Sequence, residues 1–356
     1  MAEDALRFWE RAVEPTPKVN LNKMPLYRAR RFPASGGPGP WLDRTDPEAE
    51  IASRAAAGEI TVAEAELCRK WARDGYLILT GFYSADQLDD TWAAYEAAIA
   101  AGDVVPPDEP LYDGDPLPGR TSNVHFGVPA MDEMLFEPRM AHLVSVLLGA
   151  AAKPFQTIVG HKSSQQLEHS DSIHMSTYPP GHLVANWIAY EHIDADAGPL
   201  VYYPGSHKLP YLLSEDLGIP PDAGYAHYHT RYEPAIQALI AEHGLQPEYF
   251  VPKKGDVLLW HANLLHGGSK VRDVRLSRKA LVCHFFAEGC VCYHDLTGQL
   301  AHTERDLNLY RYDRAERPDG ARPAVSPTLM TRVLRVARTS GLKALVAKAV
   351  GRLTRV

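Results

Sequence analysis

The stretches PFQTIVG (154–160), LVANWIAYEHI (183–193), PLVYYPG (199–205), GDVLLWHA (255–262) and RKALVCHFFAE (278–288) decide the fold. Each is short, apolar or alternating, rich in β-branched and aromatic residues, and bounded by Gly, Pro or Asn, which is strand texture. One helical pattern interrupts them, YEPAIQALIAEHG (232–244), inside an insertion of about 209–250. It is placed where a lid over a barrel mouth could sit. Many short strands joined by Gly/Pro turns predict a mainly β core with flanking helices, a sandwich or barrel such as a jelly roll.

Upstream of this region the chain is helical. Thr61 and Glu64 form a capping-box pattern at the start of TVAEAELCRKWARDG, which stops at Gly75 before the strand-like YLILTGF. Ser84 caps a second helix that ends at Gly102, and a third covers Ala141 to Leu148 beyond a Pro-rich loop. Residues 1–60, broken by PASGGPGP (33–40), read as an N-terminal extension wrapping the core, and 61–320 as a single domain. Downstream, residues 321–356 carry eight basic residues and no acidic one. Residues 326–355 interleave Leu329, Val333, Val336, Leu342 and Leu345 with Arg332, Arg335, Arg338, Lys343 and Lys348. That is the pattern of basic amphipathic helices lying peripherally on an anionic membrane, docking on an acidic partner, or packing on the acidic body.

Composition bounds the function. The 356 residues are 45% hydrophobic and 23% charged, an ordinary globular balance with enough chain to bury a substrate cavity. A net charge of −7 argues against nucleic acid as a partner. Four irregularly spaced cysteines make no disulfide framework and fit a reducing compartment; with no signal-peptide run at Met1, the expected location is cytoplasmic. Nothing in the sequence sets the oligomeric state.

Chemistry-bearing residues cluster in the β region. In His169-Ser170-Asp171, side chains two apart on a strand point the same way, so an imidazole and a carboxylate can share one ion. His266, in GDVLLWHANLLHGG (255–268), could close beside them from a distant strand. Two imidazoles and one carboxylate leave three adjacent positions open on an octahedral ion, the arrangement of non-haem Fe(II) oxygenases. Arg278 follows in LSRKALVCHFF, with small or apolar alternation partners Ala280 and Val282. An inward Arg there needs an anionic ligand as its partner.

At these residues the chain resembles the phytanoyl-CoA dioxygenase family of Fe(II)/2-oxoglutarate oxygenases. The resemblance runs along QQLEHSDSIHMSTYPPGHLVANWIAYEHIDADAGPLVYYPGSHKLP and GDVLLWHANLLHGGSKVRDVRLSRKALVCHFF, roughly residues 155–290. It implies that His169, Asp171 and His266 hold the iron, that Arg278 binds 2-oxoglutarate, and that Trp187 and the turn Gly198 to His207 are scaffold. It also implies a double-stranded β-helix (jelly-roll, cupin-like) core. The implied reaction consumes O2 and 2-oxoglutarate, hydroxylates an unactivated C–H bond of a small or lipid-like molecule, and releases succinate and CO2. A related halogenase or desaturase, or a non-catalytic β-barrel binding protein recruited to membranes by its tail, are the alternatives.

Other residues take secondary places. Gln166 and Gln156 are candidate neutral donors to 2-oxoglutarate, and Trp187 is expected beside the site. The rival dyad His174-Met175-Ser176 lacks the carboxylate and would suit a halide. His261 should face away from His266. Cys290 and Cys292 read as strand residues, and His227 and His229 as candidates for lining the substrate entrance. The pocket itself is built by residues 1–150 and the insertion, so the substrate is not named, and no Lys/Arg cluster for CoA appears outside the tail.

Overall fold

The computed structural model describes residues 8–14, 19–24, 26–33, 39–107, 119–220 and 223–300. The basic tail, 326–355, lies outside them. The elements in chain order are α1 (Pro47–Ala56), α2 (Val62–Asp74), β1 (Tyr76–Leu79), α3 (Ala85–Ala101), β2 (Thr121–Ser122), α4 (Pro129–Leu135), α5 (Pro138–Leu148), β3 (Ala152–Gly160), β4 (Ser176–Tyr178), β5 (Leu183–Ala189) and β6 (Leu200–Tyr202). They continue with α6 (Glu233–Glu242), β7 (Glu248–Phe250), β8 (Val257–His261), β9 (His266–Gly268), β10 (Ala280–Ala287), β11 (Val291–His294) and β12 (Gln299–Leu300).

Local chemistry explains the helices. The Thr61 hydroxyl accepts from the Glu64 N–H while the Glu64 carboxylate accepts from the Thr61 N–H, the capping box expected, and α2 ends on Gly75 at φ 79°. Ser84 caps α3, which ends on left-handed Gly102. Helix α1 was not expected from the sequence; the Asp46 side chain caps it and Pro47 opens it. It packs against α2 and buries Ile51.

A six-stranded antiparallel sheet in the order β1-β8-β5-β10-β3-β2 forms one wall, and two three-stranded sheets, β7-β6-β9 and β12-β11-β4, complete the β structure. This is a jelly-roll core. The central strands are two-faced. On β10, Leu281, Cys283 and Phe285 join Val159, Val184, Ile188, Val257 and Leu259 in a core under the helices, together with Trp71, Leu88, Met131 and Leu147. The alternate residues Ala280 and Val282 turn to the other side, with Ala185, Trp187, Leu258 and Trp260. Because both faces are covered, β8 is buried at every position from Val257 to His261, which is why it reads as an unbroken apolar run. Truncating such a residue, Leu281→Ala for example, costs roughly 2–5 kcal/mol of stability.

Strand register then builds the site. His284 on β10 lies opposite Gln156 on β3 and Ala185 on β5, and Ala185 lies opposite Trp260 on β8. One row across the inner face therefore carries Gln156, His284 and Trp260. Among the described residues, no helix is long and apolar enough to cross a membrane.

Candidate metal centre and active-site cavity

His169, Asp171 and His266 are buried and each offers a ligand atom, all within 4.8 Å of one another. His266 opens β9, and an antiparallel bridge to His169 carries a backbone hydrogen bond in each direction, both 2.9 Å. The same-face expectation for His169 and Asp171 needs correcting in its geometry. Asp171 begins a 3-10 turn, Asp171–Ile173, rather than continuing a regular strand, and the carboxylate reaches the imidazoles from that turn.

The surroundings prepare each ligand. The Nδ1 of His169 lies 2.8 Å from the Leu167 carbonyl and that of His266 lies 3.0 Å from the Leu264 carbonyl. A carbonyl only accepts, so both Nδ1 atoms carry the proton and both Nε2 lone pairs are left for a metal. Burial first, then the adjacent His266 and His174, hold the His169 pKa well below its ordinary value, which keeps that imidazole neutral. Burial pushes the Asp171 carboxyl up, but His266, His284, His169 and a hydrogen bond from Trp260 outweigh it and leave the group ionised. The Trp260 indole N–H donates to Asp171 Oδ2 at 2.7 Å, while Oδ1 lies 3.6 Å from His266 Nε2. Two imidazoles that turn Nε2 inward and one oriented carboxylate are a donor set that suits Fe(II).

The triad stands in a cavity of about 390 Å³ whose wall includes Gln156, Gln166, Trp187, His284 and Arg278. Arg278 sits just before β10 and is buried. Contrary to the expectation that it would need an anionic ligand as its partner, it has protein partners: Nη1 donates to the Gly198 carbonyl at 2.9 Å, and the guanidinium lies 5.6 Å from the Trp187 ring centroid. Arg275 lies in the loop before β10, exposed, in an ion pair with Asp273. Gln156 buries its Oε1 without a hydrogen-bond partner. Gln166 contacts His174, the two side-chain nitrogens 3.2 Å apart.

His174 lies beside the triad rather than in it, its ring 5.2 Å from that of His169, and burial drives its pKa down to about 3. The insertion reaches the cavity through Tyr225, whose hydroxyl lies 3.2 Å from His174 Nδ1 and 3.1 Å from His294 Nε2. Tyr228 adds a 3.4 Å contact to His174 Nε2. Tyr225, not His227 or His229, therefore lines the cavity from the insertion; His229 pairs with Glu233 at 2.9 Å. His261 faces the helices, where its Nε2 lies 3.0 Å from the Asp43 carboxylate and its ring meets Trp71 edge-on. Cys290 and Cys292 are free thiols.

Several site residues escaped the sequence reading. His284 shares parity with Ala280 and Val282, so the alternation applied to Arg278 would have found it. Trp260 shares parity with Leu258 in the same way. Arg120, on the cavity rim, follows a segment without periodicity and gave no signal.

The chain matches the family model described as phytanoyl-CoA dioxygenase (PhyH) over residues 71–280. It is 26% identical to the peroxisomal phytanoyl-CoA dioxygenase of Mus musculus over 64% of this chain and 69% of that protein. Against the peroxisomal phytanoyl-CoA dioxygenase of Bos taurus it is 31% identical over 39% of this chain, spanning only 38% of that protein. Among solved structures, the non-heme alpha ketoglutarate dependent carbocyclase SnoK from nogalamycin biosynthesis superposes with a TM-score of 0.50 at 14% identity, covering 70% of this chain and 91% of that one. That likeness concerns the fold. The family match covers more than half of the chain and includes every ligand of the triad and Arg278, so the chain belongs to the phytanoyl-CoA dioxygenase family and is an oxidoreductase of the Fe(II)/2-oxoglutarate-dependent dioxygenase type.

Proposed function

We propose that this chain uses Fe(II), 2-oxoglutarate and O2 to hydroxylate an unactivated C–H bond of a small molecule, releasing succinate and CO2. The observation that carries the reading is the buried His169, Asp171, His266 triad opening into a cavity that also receives Arg278. His169 and His266 would hold the iron through Nε2, and Asp171 through the oxygen not taken by Trp260. When bound, iron and 2-oxoglutarate together supply the oxidising power that no side chain has. The protein's own part is placement. Arg278 offers a planar, permanently charged fork to the distal carboxylate, held in position by Gly198 and Trp187. Gln156, with its buried unpartnered oxygen, and Gln166 are placed to meet the cosubstrate or substrate with neutral groups. Trp187 and Leu200 line the wall and keep the floor dry, while Tyr225 bridges His174 and His294 at the edge.

The test is anaerobic addition of Fe(II) and 2-oxoglutarate to the protein, followed by absorption of the iron–2-oxoglutarate chelate. On admitting oxygen, succinate should form and rise with a productive substrate. Absence of the chelate band in the intact protein would sink the reading.

A further inference from the structure

Arg120 stands apart from every charge the cofactor reading uses. Among the described residues lining the cavity, Asp171 is the only carboxylate. On the iron and 2-oxoglutarate reading, the divalent ion and the Arg278 guanidinium balance Asp171 and the two carboxylates of 2-oxoglutarate, so the loaded floor is neutral. Arg120 remains as an uncompensated cation. It sits on the rim immediately before β2, whose Thr121 and Ser122 pair with Val159 and Ile158 of β3. Its neighbours in the wall include Ser122, Gln166, His174 and Tyr225, and its charge is felt at His174, Tyr225 and Tyr228. Among the described residues no hydrogen bond or ion pair engages it, whereas Arg278 is bonded to Gly198 and the other lining cation, Lys162, donates to the Val274 carbonyl at 2.7 Å.

We propose that Arg120 anchors an acidic group of the substrate, a carboxylate or phosphate monoester, and that the enzyme therefore acts on small anions. This deepens the function proposed above and rests on it. A cavity of about 390 Å³ suits a compact molecule. Beside Arg120 the cavity wall offers Ser122, Gln166, His174, Tyr225 and His294, polar or aromatic groups that can bond the polar parts of a small acid. An acid held on Arg120 has the triad in the same cavity, which leaves the rest of a small substrate to reach the metal. The rim position admits the anion from solvent, where the positive charge can draw it in.

The experiment uses the full chain loaded anaerobically with Fe(II) and 2-oxoglutarate, titrated with matched probes while the chelate band and binding heat are followed. The probes are hexanoate and hexanamide, phenylacetate and phenylacetamide, and phenyl phosphate and phenol. Wild type should bind at least one acid about tenfold or more tightly than its neutral partner, the size of one charge-assisted hydrogen bond. Whether the carboxylates or the phosphate ester show that preference identifies the acidic group. Arg120→Gln should abolish the preference and leave 2-oxoglutarate affinity unchanged; Arg120→Lys should restore part of it. Equal binding of acids and neutral partners, an undiminished preference in Arg120→Gln, or a loss of 2-oxoglutarate affinity in that variant would each overturn the proposal. Failure of wild type to bind 2-oxoglutarate at all would instead remove the underlying reading of the site, so the two failures are separable.

Discussion

The indole N–H of Trp260 donates to Asp171 Oδ2 at 2.7 Å, and this bond leaves Oδ1 as the carboxylate oxygen 3.6 Å from His266 Nε2. Trp260 stands on β8 and Asp171 in a turn 89 residues earlier, so the candidate metal site is assembled across the barrel rather than within one segment. Trp260→Phe keeps the ring packed and removes the donor. It should lower Fe(II) affinity about ten- to a hundredfold, the usual size of losing a group that orients a ligand, with thermal stability changed little. Metal titration followed by the chelate band checks it; unchanged affinity would show that the 3-10 turn alone orients Asp171.

The triad predicts a sharp division among neighbouring histidines. His169→Ala, Asp171→Ala and His266→Ala should each abolish turnover and weaken iron binding. His174→Ala, beside the triad, and His261→Ala, on the helix-facing side, should both keep the chelate absorption. Loss of the band in His174→Ala together with its retention in His169→Ala would move the metal to the other dyad.

Arg278→Lys should raise the half-saturating 2-oxoglutarate concentration about ten- to a hundredfold, because one bond of a charge-assisted pair is lost, at about 1.5–3 kcal/mol. Iron affinity without cosubstrate should stay as it is. Arg275→Ala is the control, since Arg275 is exposed and engaged with Asp273 at 2.6 Å. Steady-state kinetics in 2-oxoglutarate reads both.

Stability should fall with acid through His207. Burial, with His261 adjacent, drives its pKa down to about 3, whereas the unfolded chain protonates it near 6.5. The unfolded state therefore takes up the proton first. The neutral ring's contribution is complete above about pH 6.5 and is lost as pH falls from there towards 3, by up to about 1.4 kcal/mol per pH unit. Asp43, held below the ordinary carboxylate value by His261 despite its burial, acts in the same direction at lower pH. Thermal melts between pH 7 and pH 4 should show a shallower decline for His207→Gln than for wild type.

What could be read from the linear chain depended on how local the physics was. The Thr61–Glu64 capping box needs only neighbouring residues, and it was legible to the residue. That His169, Asp171, His266 and Arg278 share one cavity was legible through the family resemblance of the long stretches around them more than through their spacing. Their geometry was not: Asp171 sits on a turn, and Arg278 is bonded to Gly198, a residue 80 positions away. His284 and Trp260 lay within reach of the strand alternation, but which residues they meet depends on register between segments distant in sequence, and Arg120, just before β2, follows no periodic segment. Helix α1 was missed because its first-turn acids and alanines show only a single apolar core residue, Ile51.

The two-faced strands divide labour for anyone wishing to alter what the enzyme accepts. Leu281, Cys283 and Phe285 belong to the core under the helices, whereas Ala280, Val282 and His284 line the cavity. A mutational library confined to the partly buried cavity-facing positions Ile158 and Val282 would vary the shape offered to a guest molecule while leaving Trp187, His284 and Arg278 in place. Its members should melt close to the parent temperature, because the layer that holds the helices to the sheet is left intact. Randomising the intervening positions should do the reverse, collapsing yield before any new preference could be measured. Engineering effort on this scaffold can therefore be halved in advance by parity alone.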